Sequence, residues 1–217
     1  MTRAVGAREG VPSDVGGKAM DRVVAFSDGI FAFAITLLVV SLDVPEIPSG
    51  LAGRELVPAL LAQAPRFASY AFSFLMVAIF WMAHHRMFQY IVRYDTTLLL
   101  LNFLMLFGVA FLPYPVELVG RYGDLPAAEA FYAGSMAFVG FASTGLWMYA
   151  VRHRLLSADT PAEVVSHFTW RALVAPVIFV LSALLAFVNV TAAYVSLGLI
   201  GVIQGQLSRR YAGAGLR

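Results

Sequence analysis

Residues 23–42 form an unbroken apolar run that contains one charged residue, Asp28, about a turn and a half from its start. As a helix, a run of that length spans about 30 Å, the thickness of the hydrocarbon layer of a bilayer. A carboxylate inside such a run is costly and marks a functional position by default. Composition agrees with a membrane setting: the chain is 60% hydrophobic and 13% charged, whereas soluble domains carry about 25% charged residues. It has no cysteine, which rules out disulfides, thiolate metal sites and a cysteine nucleophile.

Five further runs approach spanning length: 67–83, 97–119, 127–150, 168–188 and 193–207. The expected fold class is therefore all-α and polytopic, with six transmembrane helices within residues 21–210. A polar, disordered cytoplasmic tail is expected over 1–20 and a short one over 211–217. Residues 1–18 lack the apolar stretch of a cleavable signal peptide. Asp43, Pro45, Glu46 and Pro48 close the first run, Pro113 and Pro115 fall near the end of the third, and Asp124-Leu-Pro126 opens the fourth. Pro176 predicts a kink in the fifth. Thr160-Pro161-Ala162-Glu163 has the pattern of a capping box, which predicts a short surface helix feeding the fifth run. A link of about four residues joins the fifth and sixth runs as a tight antiparallel hairpin. The Asn189-Val-Thr191 sequon falls in that turn and reads as accidental.

Six spans put both chain ends on one side. Twelve of the fifteen Lys and Arg residues then share that side, leaving only Arg54, Arg66 and Arg121 on the other. Cytoplasmic loops carry the excess of positive charge, so both termini are expected in the cytoplasm and the chain in the cell membrane as a multi-pass protein. This distribution gives no reason to expect nucleic acid as a partner.

With that topology, polar residues of three helices fall at one depth near the inner surface: Asp28 on the first, Trp81, His84 and His85 on the second, Asp95 and Asn102 on the third. Buried polar groups need partners, so a network of Arg22, Ser27, Asp28, a histidine, Trp81 and Asn102 is expected. His84 and His85 read equally as solvated flanking residues. As neighbours they point about 100° apart on a helix, unlike the i, i+4 spacing of helical zinc sites, so no metal is expected.

On the first helix, steps of 100° per residue bring Phe26, Phe33 and Val40 within about 40° of one another, with Thr36 and Leu37 on either side. Asp28 lies roughly 140° from Phe33. One face is thus an apolar stripe with a single hydroxyl, and another carries Ser27 and Asp28. Periodicity alone leaves Phe33, Thr36 and Val40 open to ordinary packing or lipid contact. Gly29, Ala32 and Ala34 permit close helix approach in either case. The chain contains no Thr-Val-Gly-Tyr-Gly filter, no arginine-periodic helix, no Walker loop and no G-x-S-x-G.

The pattern Arg22-x-x-x-Phe26-Ser27-Asp28 at the start of the first of six spans resembles the signature of the prokaryotic homologues of the endosomal and lysosomal potassium channel. Trp81-Met-Ala-His84-His85-Arg-Met-Phe88 and Asn102-Phe-Leu…Phe111-Leu112-Pro113 resemble the same family, and the likeness covers essentially the whole chain. It implies a homotetramer of six-helix subunits without a pore loop, the first helices lining a central pore for potassium. It implies that Phe33 is the narrowest hydrophobic position, that Thr36 is the hydroxyl linked to selectivity, and that Val40, beside Leu37, forms a further apolar layer. Arg22, Ser27 and Asp28 would hold the pore helix against its neighbours. One departure stands out: family members carry Ile or Leu where this chain has Phe33.

The resulting expectation is a weakly potassium-selective cation channel with a hydrophobic constriction and no cofactor beyond permeant potassium ions. Two rivals remain. One is a proton-coupled carrier or proton-conducting channel using Asp28 and neighbouring histidines. The other is a membrane enzyme or scaffold built on the cluster His84, His85 and Asp95, although no nucleophile–base pair supports it.

Overall fold

A computed structural model describes residues 13–48, 50 and 52–212. Their regular secondary structure is all helix, joined by short loops, with an isolated bridge between Ile91 and Leu156. Helix α1 (Ser13–Leu37) tightens into a 3-10 turn at Leu38–Ser41. It is followed by α2 (Ala52–Ala62), α3 (Ala64–Tyr90), α4 (Thr96–Phe111), α5 (Pro113–Tyr122), α6 (Pro126–Arg152), α7 (Ala162–Ala186) and α8 (Val190–Ala212). Helix α1 starts at Ser13, inside the segment 1–20 expected as a cytoplasmic tail. Residues 211 and 212 likewise continue α8. The remainder of both tails lies outside the described residues.

Among the described residues five segments are long and apolar enough to cross a membrane: Lys18–Ser41, Ala64–Tyr90, Thr96–Tyr122, Ala162–Ala186 and Val190–Leu207. The chain is a multi-pass membrane protein. The third segment is two helices in series. Pro113 has no N–H to continue the α4 ladder, so Leu112 closes the helix with a short bond to the Val109 carbonyl and Pro113 starts α5. The fourth expected span, α6, has the length, 27 residues, but is not among the five. Its position explains the difference. It packs against α3, α4, α5, α7 and α8, and 14 of its 27 residues are buried. The face it turns to other helices does not need lipid-facing bulk, so Ala, Gly, Ser and Thr serve there, while Phe131, Phe138, Phe141 and Met148 stay on the uncovered face.

The tightest packing follows from those small residues. A Cβ on Gly140 would sit 2.9 Å from the Pro176 ring of α7. Thr144 Oγ1 lies within hydrogen-bond reach of both the Gly140 carbonyl (2.8 Å) and the Ala172 carbonyl (3.0 Å), and Trp147 Nε1 donates to Thr169 Oγ1 at 3.0 Å. Helices α6 and α7 are thus locked by contact and by hydrogen bonds. The capping box at Thr160 does not form. Pro161 is the N-cap of α7, Thr160 Oγ1 is buried without a partner, and α7 runs unbroken from Ala162 instead of following a separate surface helix. Helix α2, which the sequence patterns did not announce, is an exposed piece between α1 and α3 that leaves Val57 and Leu61 largely uncovered.

Side-chain pairings define two ends of the bundle. The near end holds the start of α1, the end of α3, the start of α4, the end of α6, the start of α7 and the end of α8. The far end holds their opposite termini. At the near end Asp95 caps α4, accepting from the Leu98 amide at 2.8 Å, and accepts from the Tyr149 hydroxyl of α6 at 2.8 Å. Those donors, the Leu98 amide first and the Tyr149 hydroxyl second, hold the Asp95 carboxyl below the usual carboxylate range.

Two outcomes follow. Gly140→Val should lower the melting temperature in detergent by several degrees, since an overpacked contact typically costs about 1–3 kcal/mol. Gly134→Ala, where a Cβ meets nothing within 4 Å, should leave it unchanged. Asp95 titrates lower in the folded state than in the unfolded one, so its contribution is present above the unfolded value of about 3.9 and is lost as pH falls through the folded one. The advantage of the native chain over Asp95→Ala in thermal melts should be full at neutral pH and shrink only below about pH 4.

Candidate functional site

Helix α1 lies on α3 and α4, and its 3-10 turn rests on α3 and α5. The residues it turns inward are small or apolar: Ser27, Phe31, Ala34 and Leu38 are all buried. Ser27 begins a chain of hydrogen bonds across three helices. The His84 ring meets Asn102 Oδ1 at 2.9 Å, Asn102 Nδ2 donates to Ser27 Oγ at 3.0 Å, and Ser27 Oγ donates to the Val23 carbonyl at 2.9 Å. An amide oxygen only accepts, so with this amide orientation the His84 tautomer carries its proton on Nε2. His84 is completely buried between the rings of Phe31 and Phe88, and its Nδ1 has no partner.

Asp28 makes a separate link. Its Oδ1 accepts from Trp81 Nε1 at 2.8 Å, and the Trp81 indole stacks on His85 with centroids 5.5 Å apart. His85 is exposed and reaches Gln89 at 3.2 Å. The adjacent histidines therefore divide: His84 belongs to the buried chain and His85 to the surface. Beside them, an open cleft of about 300 Å³ includes Asp21, Asp28, His85 and Gln89 in its lining. Phe26 packs edge-on to Phe103 of α4 at 5.8 Å. Arg22 departs from expectation. It is exposed and, among the described residues, makes no hydrogen bond or ion pair, so the network forms without it. Asp95 is engaged as a helix cap, so His84, His85 and Asp95 do not form one cluster. Among the described residues no group of three or more acids and histidines is arranged to hold a metal.

The opposite face of α1 is uncovered. Phe33 is 60% exposed and Val40 68%, Thr36 is exposed and Leu37 partly so. Thr36 Oγ1 donates to the Phe33 carbonyl at 2.8 Å, which turns the oxygen lone pairs outward. The 100° arithmetic holds only to Leu37. Val40 sits in the 3-10 turn, where each residue advances about 120°, and Val39 is exposed beside it.

Two sets of residues were missed by the reading of motifs. At the far end, Asp43 just beyond the 3-10 turn receives Arg66 of α3 at 2.9 Å and Arg121 of α5 at 3.3 Å, and Arg121 also meets Glu117 at 2.8 Å. Two of the three arginines on that side therefore converge on the end of α1. Deep in the bundle, Glu129 of α6 is fully buried, with Ser182 Oγ 3.0 Å from its Oε1 and no partner on Oε2. Nearby, Tyr132 and Ser73 join α6 to α3 at 3.0 Å. The signal for Glu129 is the one that marks Asp28, a lone acid inside an apolar run.

Comparison with known proteins places these residues in a family. The family model described as endosomal/lysosomal potassium channel TMEM175 matches residues 22–113, from Arg22 through the start of α5. A protein named a potassium channel from Streptomyces collinus is 35% identical over 85% of this chain and 90% of its own length. The chain belongs to the TMEM175 potassium channel family. The crystal structure of a lysosomal potassium-selective channel TMEM175 homolog from Chamaesiphon minutus superimposes with a TM-score of 0.74 at 29% identity, over 89% of this chain and 98% of that one. The mouse endosomal/lysosomal proton channel TMEM175 is 34% identical over 62% of this chain, which spans only 29% of it. Within the family-matched stretch lie all twelve candidate residues from Arg22 to Asn102.

The chain His84–Asn102–Ser27 yields an ordering of mutational costs. Asn102→Leu leaves a buried imidazole N–H without an acceptor and should cost about 1–3 kcal/mol. Ser27→Ala removes one acceptor while Asn102 keeps His84, and should cost less. Thermal melts of the purified variants check the order.

Proposed function

We propose that this chain is one subunit of a homotetrameric, weakly potassium-selective cation channel of the cell membrane, with α1 lining the pore. The observation that carries the reading is the division of α1. One face is pinned by Ser27, Asp28 and, at the far end, Asp43, while the other leaves Phe33, Thr36, Leu37 and Val40 uncovered. Four such faces around an axis would enclose a pore of apolar rings with one ring of hydroxyls. The names of the Streptomyces and Chamaesiphon relatives support potassium as the permeant ion.

In this reading Phe33 forms the narrowest ring and gates by expelling water, since a constriction without polar groups dewets. About 5 Å further along, Thr36 presents hydroxyl oxygens whose protons are held on the Phe33 carbonyls, suited to replace water around a partly dehydrated cation. Val40 forms the next apolar layer. Six spans follow if α6 crosses with the other five. The near end then carries twelve of fifteen Lys and Arg residues and faces the cytoplasm with both termini. Permeant potassium is the only small-molecule partner this reading requires, and the bilayer and three further copies of the chain complete the assembly.

The test is flux through the full chain reconstituted in liposomes. Phe33→Ala should raise potassium flux and Thr36→Ala should lower the potassium-to-sodium ratio, with a pH dye following protons in parallel. Unchanged flux in Phe33→Ala sinks the assignment of the constriction. Strictly proton-coupled uptake without independent potassium flux would favour the carrier reading around Asp28 and the histidines.

A further inference from the structure

Away from α1, at the near end, helices α3, α7 and α8 bring two arginines together without an acid between them. Arg171 is half-buried on α7. Its Nε donates to Gln204 Oε1 of α8 at 2.9 Å, and the Gln204 amide donates back to the Arg171 carbonyl at 3.1 Å. That reciprocal pair fixes the direction of the guanidinium and uses only its Nε, leaving both terminal nitrogens as a fork. Arg86, four residues before the end of α3 and exposed, is brought toward Arg171 by the packing of α3 on α7. The rings of Tyr90, one turn after Arg86, and Phe168, about one turn before Arg171, meet edge-on with centroids 5.6 Å apart, and the two charges act on each other and on His167. Among the described residues no carboxylate lies within 4 Å of either guanidinium. The arginine–carboxylate pairs of the described residues are at the far end, around Asp43 and Glu117. Trp170, next to Arg171 in the chain, is 62% exposed, as an aromatic at the headgroup level is.

We propose that Arg86 and Arg171, where α3, α7 and α8 meet, bind the phosphate of an anionic phospholipid. Three features combine. Two cations on different helices repel one another unless an anion lies between them. A planar fork with two free nitrogens matches two oxygens of a phosphate in a way that a lysine ammonium does not. The depth is set by Trp170 and by Arg171 itself, which stands where the apolar part of α7 begins, so the anion that fits is one held at the membrane surface. Basic pockets between spanning helices are the form such sites take. The lipid would add a polar bridge between α3 and the α7–α8 pair beside the direct contact of Tyr90 with Phe168.

The experiment uses the purified full chain and reads thermal stability and lipid retained in native mass spectrometry, neither of which depends on channel activity. Dioleoylphosphatidylglycerol, dioleoylphosphatidylcholine and inorganic phosphate are titrated separately. Phosphatidylglycerol should raise the melting temperature and stay bound, while the other two should not. Arg86→Gln and Arg171→Gln should each weaken its apparent affinity about fivefold, and Arg171→Lys should lose most of what Arg171→Gln loses. Arg152→Gln, at the same end but away from this pair of arginines, should respond as the native chain does. Arg86 makes no hydrogen bond that holds the fold, so Arg86→Gln decides the matter if the Arg171 variants fail to assemble. An undiminished phosphatidylglycerol response in Arg86→Gln overturns the proposal, as does an equal response to phosphatidylcholine. A response to inorganic phosphate equal to that of the lipid overturns the assignment to a lipid.

Discussion

A polar group taken into hydrocarbon has to find its partner inside the protein, and the arrangement of this chain around α1 follows from that requirement. Asn102 is the clearest case. It is buried on α4, and its amide can be satisfied only by groups from other helices, here His84 of α3 and Ser27 of α1. Each bond of this kind is worth on the order of 1 kcal/mol in a membrane, so two of them do not hold the fold by strength. They act by direction. Slipping α1 by one residue would turn Ser27 about 100° away from Asn102 and carry the whole apolar stripe with it. A short polar chain therefore sets the rotation of a long apolar helix, which nonspecific apolar packing leaves poorly defined.

The rotation is held at two points. Trp81 grips Asp28 midway along α1, while Arg66 and Arg121 grip Asp43 just past its finish. The separation between these anchors covers the stretch that carries Phe33, Thr36 and Val40. The far-end grip is exposed and individually weak, but it joins three segments through one carboxylate. Between the anchors the buried residues Phe31, Ala34 and Leu38 give α1 a close fit to its neighbours and leave no polar group to satisfy.

Much of this is legible in the sequence because membrane segments obey few rules. Long apolar runs locate the helices, the lone carboxylate locates Asp28, and the 100° step separates the Ser27 face from the Phe33 face. What escapes is what depends on partners distant in the chain. Adjacent histidines look alike in sequence, and only the position of Asn102 decides that His84 is buried and His85 is not. Thr160 carries a capping signature, but the helix begins at Pro161, whose extended backbone already serves as the cap. Asp43 and its arginines read as span-ending charges because nothing local says that residues 66 and 121 meet there. Helix α6 fails the apolarity rule for the same reason in reverse: one face of it is turned to protein, and hydropathy measures fitness for lipid.

That last point bears on where the conducting path can be. The most packed helix of the subunit is α6, in contact with five others and closed by Gly140 against Pro176 and by Thr144 and Trp147 against α7. A helix packed this closely leaves no lumen along it. Helix α1 lies at the edge, with aromatic and aliphatic side chains and one outward-turned hydroxyl oxygen on its free face. A hydroxyl oxygen facing lipid would gain nothing, whereas facing a shared axis it meets water or a cation. The placement of Thr36 between Phe33 and Val40 therefore favours a pore formed between copies of the chain over one bored through it. Under the proposed assembly the close fit of α6 to α7 has a reason as well: an axis formed from four such edges would keep its geometry only if each edge were fixed to a body that does not yield.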